Sequence, residues 1–443
     1  MIKIFTSDEA KTTILRRDLT FNSPVPQAVR TSLQRIFGED LTPDEAVSRL
    51  LKDVQQRGDK ALLEWTERID GVVLDNLAVH PADIQAAHAS ISGDLRDGLQ
   101  LAANRIRDFH ARQRVQSWTT TSLGGRLGQR VSPLRRVGVY VPGGTAPLPS
   151  TLLMSAIPAQ VAGVDEIVVV TPPGRDNGKV SPIILAAAAT IGIDTIYTLG
   201  GAQAIGALAF GTNTITRVDK IVGPGNLFVT LAKRQVYGLV GIDGLAGPTE
   251  TMVIADDSAN PAWIAADLLA QAEHDTLATA VLLTPSMKLA QAVQVEVARQ
   301  MESLSRGAII EEALANQGGI IITRDVAEAA RIADTFAPEH LCLATENPES
   351  LIDSLRHAGG LFVGERSFEV LGDYVAGPSH TMPTGGTARF ASPLSVVDFV
   401  RITSIIELDA RTTAELAPAA ARLAHAEGLT AHANAAEIRL AGD

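Results

Sequence analysis

Apolar positions in the first quarter of the chain recur at helical spacing. Thr42-Pro43-Asp44-Glu45 supplies an N-cap hydroxyl, a proline at the first helical position and a glutamate three past the cap. Ala46, Leu50, Leu51 and Val54 follow on one face, which predicts a helix running to about Ile69. Pro81-Ala82-Asp83 opens another helical stretch. Leu95 to Arg114 continues with apolar and basic residues interleaved, up to the polar run Ser117 to Ser122. The region reads as a helical arm or partner surface.

From Val137 the pattern changes to short β-branched runs separated by alanine-rich windows. Val137–Val141, Glu166–Val170, Thr195–Thr198 and Asp219–Val222 read as strands. Ser150–Val161, Ser181–Ile191 and Ala202–Phe210 between them read as helices, two of them opened by a serine in N-cap position. A second set follows: strands Thr251–Ala255, Ala278–Leu283, Gly319–Thr323, His340–Ala344 and Gly360–Val363, with helices Pro261–His274, Met287–Leu304 and Asp325–Asp334. Strand and helix in alternation imply parallel strands buried on both faces. The expected class is α/β, with two tandem doubly wound, Rossmann-like parallel-sheet domains, a helical N-terminal region and a small C-terminal helical segment. The expected boundaries are 1–125 helical, 126–245 first α/β domain, 246–385 second α/β domain and 386–443 C-terminal tail.

Composition narrows the function classes. With 46% hydrophobic and 20% charged residues among 443, the chain is globular in character. A net charge of −12, from 38 Lys+Arg against 50 Asp+Glu, argues against nucleic acid as a principal partner. The start has neither a secretory nor a transit pattern. The longest apolar stretch, Ile183 to Ile193, reads as a buried helix rather than a membrane span, so no membrane partner and a cytoplasmic location are expected. The one cysteine, Cys342, excludes an intrachain disulfide and any multi-cysteine zinc site. A metal here must be held by His, carboxylate or amide groups.

Glycine-rich turns follow three strands: Val141-Pro-Gly-Gly144, Gly200-Gly-Ala-Gln203 and Gly223-Pro-Gly-Asn226. None matches G-x-G-x-x-G, so each is either a tight strand-to-helix turn or part of a cofactor crevice. On the Pro261 helix, Gln271 follows the inner stripe of Ile264 and Leu268, and His274 lies three residues on. The pair is either a satisfied polar face or two donors for one ion. Glu339-His340 at the mouth of an apolar strand suits general acid/base work, or a polar loop with a capping histidine. Cys342 between two leucines reads as packing. The loop Gly372 to His380 carries Asp373 and His380, and Glu427-Gly-Leu-Thr-Ala-His432 brings a carboxylate and an imidazole close together. His80, His88, His110, His357 and His425 are given no role.

Taken in order, Tyr140-Val-Pro-Gly-Gly144, Gly200-Gly-Ala-Gln-Ala-Ile205, Val222-Gly-Pro-Gly-Asn226, Ala246-Gly-Pro-Thr-Glu250, Leu269-Ala-Gln-Ala-Glu-His274, Ala337-Pro-Glu-His-Leu341, Gly372-Asp-Tyr-Val-Ala-Gly377 and Leu429-Thr-Ala-His432 closely resemble histidinol dehydrogenase. The resemblance implies a bound zinc ion, one per subunit, on Gln271, His274, Asp373 and His432. It implies NAD contacts at Tyr140, Gln203 and Asn226, in a family that binds the dinucleotide without the usual fingerprint. It also implies substrate contacts at Thr249, Gln271, His274, His340, Asp373, His380, Glu427 and His432, and Glu339 and His340 as the catalytic pair. The first α/β domain would then be the NAD side and the second the substrate and metal side.

The implied reaction takes L-histidinol, water and two NAD+ to L-histidine and two NADH, the closing steps of histidine biosynthesis. A homodimer is also implied, its C-terminal tail crossing to complete the partner's site. Thr249 stands where serine is common, and Ser379 precedes His380 where asparagine is frequent; both differences bear on substrate choice. The competing readings are a related NAD-dependent dehydrogenase for another polar alcohol, a zinc hydrolase, and a non-catalytic metal-binding protein.

Overall fold

The computed structural model describes residues 2–17, 25, 27–143 and 147–440, so Gly144 of the first glycine turn lies outside the described residues. The chain divides into two compact units, Met1–Gln113 with Arg135–Phe399, and Arg114–Leu134 with Val400–Asp443.

In the first unit, β1 (Arg136–Tyr140), β2 (Glu166–Thr171), β3 (Ile196–Thr198), β4 (Lys220–Val222) and β5 (Gly241–Ile242) form a parallel sheet in the order β3-β2-β1-β4-β5. A second parallel sheet repeats that order with β6 (Glu250–Ala255), β7 (Thr279–Thr284), β8 (Gly318–Ile322), β9 (His340–Ala344) and β10 (Gly360–Val363), arranged β8-β7-β6-β9-β10. Strand Ile4–Thr6 extends it beyond β8. In each sheet the chain reverses its direction of travel beside the central strand, β1 or β6. Ligands of open α/β sheets bind in the crevice outside the carboxyl ends of the strands at such a switch. The expected α/β class and doubly wound parallel sheets are therefore present.

The alanine-rich windows are helices because their small side chains let them lie close on the strands. Helix Gly201–Phe210 packs over β1 at Gly138, where a Cβ would come within 2.8 Å of Leu208 Cδ1. The N-terminal helices belong to the same core instead of forming a free arm. Val47, Leu50, Leu51, Val54, Leu62 and Trp65 are buried in one cluster with Ile205 and Leu208, and each such aliphatic side chain stabilises by about 2 kcal/mol.

The helix predicted to run from Thr42 to about Ile69 is two, Pro43–Arg57 and Asp59–Asp70. Gly58 separates them at φ +55, a conformation that interrupts the helical repeat and that glycine adopts without a Cβ clash. Thr42 and Glu45 close the expected capping box. Of the two serines expected at N-caps, Ser181 occupies its N-cap, without a side-chain bond, whereas Ser150 falls inside a helix that begins at Pro149.

The second unit is built on an antiparallel sheet in which Arg126–Pro133 pairs with Trp118–Thr120 on one side and with Val400–Glu407 on the other. Helices Ala410–Ala426 and Thr430–Glu437 follow. The sequence pattern does not predict this sheet, since 117–122 reads as a polar run.

One glycine-rich turn makes a firm demand on its residue. Gly223 sits at φ +110, its N–H donates to Asp243 Oδ2 at 2.7 Å, and a Cβ there would collide with the carbonyl oxygen of Tyr140. Lys233, buried, donates to the Gly223 carbonyl at 3.0 Å and pairs with Asp243, bracing the same turn. Gly223→Ala is expected to lower stability by about 2–4 kcal/mol, measured as a fall in the urea midpoint at unchanged slope.

Candidate active site

Glu339 and His340 stand at the start of β9, at the amino ends of the second sheet's parallel strands and beside its central strand β6. Parallel pairing sets His340 against Thr251 of β6 and Gly360 of β10. The imidazole is 3% exposed. Its Nδ1 lies 3.3 Å from the Glu250 carbonyl oxygen, 3.5 Å from Glu369 Oε1 and 3.7 Å from Glu339 Oε2. Surrounded by acceptors, Nδ1 carries the proton and donates to the Glu250 carbonyl, which leaves the Nε2 lone pair free. Nε2 is buried without a hydrogen-bond partner, 3.8 Å from Asp373 Oδ1. A lone pair held in this way is chemically able to accept a proton.

Glu339 is also sealed. Its Oε2 accepts from the Thr249 hydroxyl at 2.6 Å and from the Glu250 N–H at 3.1 Å. Burial pushes its carboxyl up to about 7, against the opposing pull of His340 and of those two donors. A carboxyl titrating near neutrality can take a proton from water and return it. Thr249 therefore orients Glu339 through a hydroxyl that also contacts the Gln271 amide.

Helix Pro261–Ala272 packs on helix Glu369–Tyr374. This brings Gln271, 1% exposed, against Glu369, with its Nε2 toward the Glu369 carboxylate and its Oε1 toward Thr249 and the Glu250 N–H. His274 lies just beyond that helix, exposed, its N–H donating to the Gln271 carbonyl at 3.2 Å. Asp373 lies near the end of the second helix with its side chain 19% exposed, 4.0 Å from His380 Nδ1. The His380 Nε2 meets the Thr151 hydroxyl at 3.3 Å on helix Pro149–Ala162, so this residue ties the two α/β halves together at the site. Burial holds the His380 pKa below its ordinary value, favouring the neutral ring. Ser379 is buried and donates to the Met154 carbonyl at 3.2 Å.

The structure thus brings together Thr249, Gln271, Glu339, His340, Asp373 and His380, with His274 at the rim. Glu427 and His432 belong to the other unit, where Glu427 closes helix Ala410–Ala426 and His432 lies on the next helix, both exposed. Cys342 is buried on β9 and burial raises its thiol pKa, which agrees with packing and not nucleophilic duty.

Sequence reasoning missed Glu369, which is 1% exposed, accepts from the Thr251 hydroxyl at 2.6 Å and flanks His340. Its signal was available in the i, i+4 spacing to Asp373 on one helix face. It also missed Arg17, which pairs with Glu250 and donates to the Phe336 carbonyl at 2.9 Å, clamping the strand end that holds His340.

Among the described residues no group of three or more His, Cys, Asp or Glu side chains gathers into a complete metal cage. The donors available from this unit are the Gln271 amide, the Asp373 carboxylate and the His274 imidazole. Burial and the neighbouring Asp373 and Asp267 charges hold the Glu369 pKa well above its ordinary value. That surplus of buried negative charge, with N and O donors beside it, fits a divalent ion such as zinc completed by a further ligand.

At the first sheet, Tyr140 ends β1 and its hydroxyl accepts from the Gly201 N–H at 3.1 Å. Gln203 is fully buried with both amide atoms unpartnered. Asn226 caps helix Leu227–Val236, accepting from the Phe228 and Val229 N–H groups at 3.0 and 3.2 Å. Its carbonyl oxygen is thus spent on the cap, and its amide NH2 is the part left to meet a ligand. Unpaired polar groups beside glycine turns at the carboxyl ends of the strands fit a polar ligand such as a dinucleotide.

The sequence model for histidinol dehydrogenase matches residues 38–440. A histidinol dehydrogenase of Deinococcus radiodurans is 51% identical over 442 residues, covering 99% of this chain and all of that one. One of Geobacillus kaustophilus is 52% identical over 396 residues, 89% of this chain and 93% of that one. The crystal structure of histidinol dehydrogenase from Elizabethkingia anophelis superposes with a TM-score of 0.90 at 36% identity, covering 99% of this chain and 98% of that one.

The environment of Glu339 makes a stability prediction. Its folded pKa of about 7 lies above the ordinary 4.5, so the folded state holds the extra proton between those values and loses stability as pH rises through them. Glu339→Gln is expected to be more stable than the parent by about 1–3 kcal/mol at pH 8. The difference should vanish by pH 4 in paired denaturation curves.

Proposed function

Because the chain belongs to the histidinol dehydrogenase family, we propose that it oxidises L-histidinol through the bound aldehyde to L-histidine, reducing two NAD+ in the final steps of histidine biosynthesis. The chain is an NAD-dependent oxidoreductase of that pathway. The observation that supports the chemistry most directly is the free Nε2 of His340, fixed by three acceptors around Nδ1, with the neutral-range carboxyl of Glu339 beside it.

His340 Nε2 takes the alcohol proton in the first oxidation. Glu339 then takes a proton from water as it adds to the aldehyde, and His340 serves again as base in the second oxidation. Tyr140, Gln203 and Asn226 would hold NAD+, which would supply the hydride acceptor for both. Gln271, His274, Asp373 and His432 would hold zinc, which would supply orientation of the substrate. Thr249, His380 and Glu427 complete the substrate contacts. Keeping the aldehyde bound between oxidations protects a reactive intermediate from water.

The working form is a homodimer, in which Glu427 and His432 of one subunit complete the site of the other. Their exposure on the second unit supports this reading, as does the exposure of Ile402, Ile406, Leu423 and Ile438 on the same unit. No described helix is long and apolar enough to cross a membrane, and the enzyme is proposed to work in the cytoplasm.

Purified protein loaded with zinc is expected to form two NADH per histidine from L-histidinol, and a loaded dimer without turnover would overturn the reading. Glu339→Gln should lower turnover about 10²–10⁴-fold and abolish the rise in histidinal oxidation as pH passes through about 7, because the base form exists above that value. Asp373→Ala should lose zinc by elemental analysis together with activity while keeping its circular dichroism spectrum. Mixing inactive His340→Ala with inactive His432→Ala subunits should restore activity if the tail acts across the dimer, and no restoration would place it within its own chain.

A further inference from the structure

Buried polar atoms without partners also occur away from His340, around the carboxyl ends of β1, β2 and β3. Asp70 Oδ2, Thr171 Oγ1 and both amide atoms of Gln203 are buried with no hydrogen bond. Thr171 and Gln203 are fully buried residues, and buried polar groups of this kind are nearly always satisfied.

These atoms lie around the same glycine turns, linked through Pro172, Gly200, Gly201 and Tyr140. A Cβ on Gly143 would lie 3.2 Å from Thr171 Oγ1 and 3.0 Å from Pro172, and one on Gly201 would lie 2.7 Å from Gln203 Oε1. The Gly201 N–H is bonded to the Tyr140 hydroxyl, and the charge of Asp70 acts on that same hydroxyl. Glycines at these positions let the backbone lie directly against these polar groups.

Asp70 is badly placed for stability. It is the last residue of helix Asp59–Asp70, where the helix dipole is negative, and burial pushes its carboxyl up to about 6 even with the Arg175 charge in reach. A carboxylate with a buried, unpartnered oxygen at a helix C-terminus works against stability. In doubly wound sheets a carboxylate beyond the second strand accepts from the dinucleotide's ribose hydroxyls. Here β2 runs out into Thr171-Pro172-Pro173-Gly174, and the first acid after it, Asp176, is exposed.

Resting on the NAD reading above, we propose that Asp70 fills this role from the N-terminal helix. Its carboxylate accepts from the ribose hydroxyls of NAD+ and repels a 2′-phosphate, and the Thr171 hydroxyl and Gln203 amide meet polar groups of the dinucleotide beside it. The N-terminal helices thereby carry a cofactor-selecting residue that no glycine fingerprint would reveal.

Calorimetric titration with ADP-ribose, NAD+ and NADP+ tests this without any histidinol turnover. Asp70→Asn is expected to weaken ADP-ribose binding about tenfold or more and to narrow the preference for NAD+ over NADP+. It should also raise the KM for NAD+ by more than it lowers kcat. The melting temperature of the unliganded variant should rise at pH 8, which a merely structural role would not produce. Thr171→Val should weaken ADP-ribose binding severalfold. Wild-type protein that binds no ADP-ribose overturns the cofactor reading together with this proposal. Wild-type binding that survives both substitutions, with NADP+ discrimination intact, overturns the proposal alone.

Discussion

The site depends on the crowding of acceptors around one ring nitrogen. His340 Nδ1 faces the Glu250 carbonyl, Glu369 and Glu339 within 3.7 Å, so the proton has one favourable place and the opposite nitrogen is left as a base. Much of the surrounding structure maintains that arrangement. Parallel pairing of β9 with β6 sets the ring beside the Glu250 backbone, Arg17 clamps the Glu250 carboxylate, and Thr251 holds Glu369. The Thr249 hydroxyl holds Glu339 in turn.

The two sheets reach the same strand order by separate stretches of chain, but the first has Tyr140 and Thr171 at the carboxyl ends of its strands, whereas the second gathers Thr249, Glu339 and His340 at the amino ends of its strands. The halves differ in what they leave unsatisfied there. The first leaves amide, hydroxyl and carboxyl oxygens unpartnered beside glycine turns, suited to a polar ligand such as a dinucleotide. The second concentrates carboxyls, with Glu339, Asp267 and Glu369 all displaced upward chiefly by burial. Such groups work against folding stability, and a core this extensive offsets them. His380, reaching Thr151 across the halves, is where the two chemistries meet.

Much of this was legible in one dimension because it is local. Strand and helix positions between Val137 and Val363 follow from period and turn residues, and the capping box at Thr42 forms as its spacing requires. Glu339, His340, Gln271 and Asp373 were visible as motifs, and the structure places them close together. What local reading missed has nonlocal causes. The strand Ile4–Thr6 is too short to show a period and exists because β8 offers it an edge. The sheet joining Arg126–Pro133 to Val400–Glu407 pairs segments far apart in sequence. Gly58 breaks a pattern whose apolar periodicity alone would have continued.

The sequence by itself determined the fold class, the family and the identity of the chemical groups, because periodicity, turn chemistry and ordered motifs are properties of neighbouring residues. The tertiary structure alone decided which nitrogen of His340 is free, that Glu339 titrates near neutrality, that Asn226 spends its oxygen on a cap, and that Glu369 and Asp70 stand beside the working groups. Each of these depends on the distance and burial of atoms that only the packing of separate elements brings together.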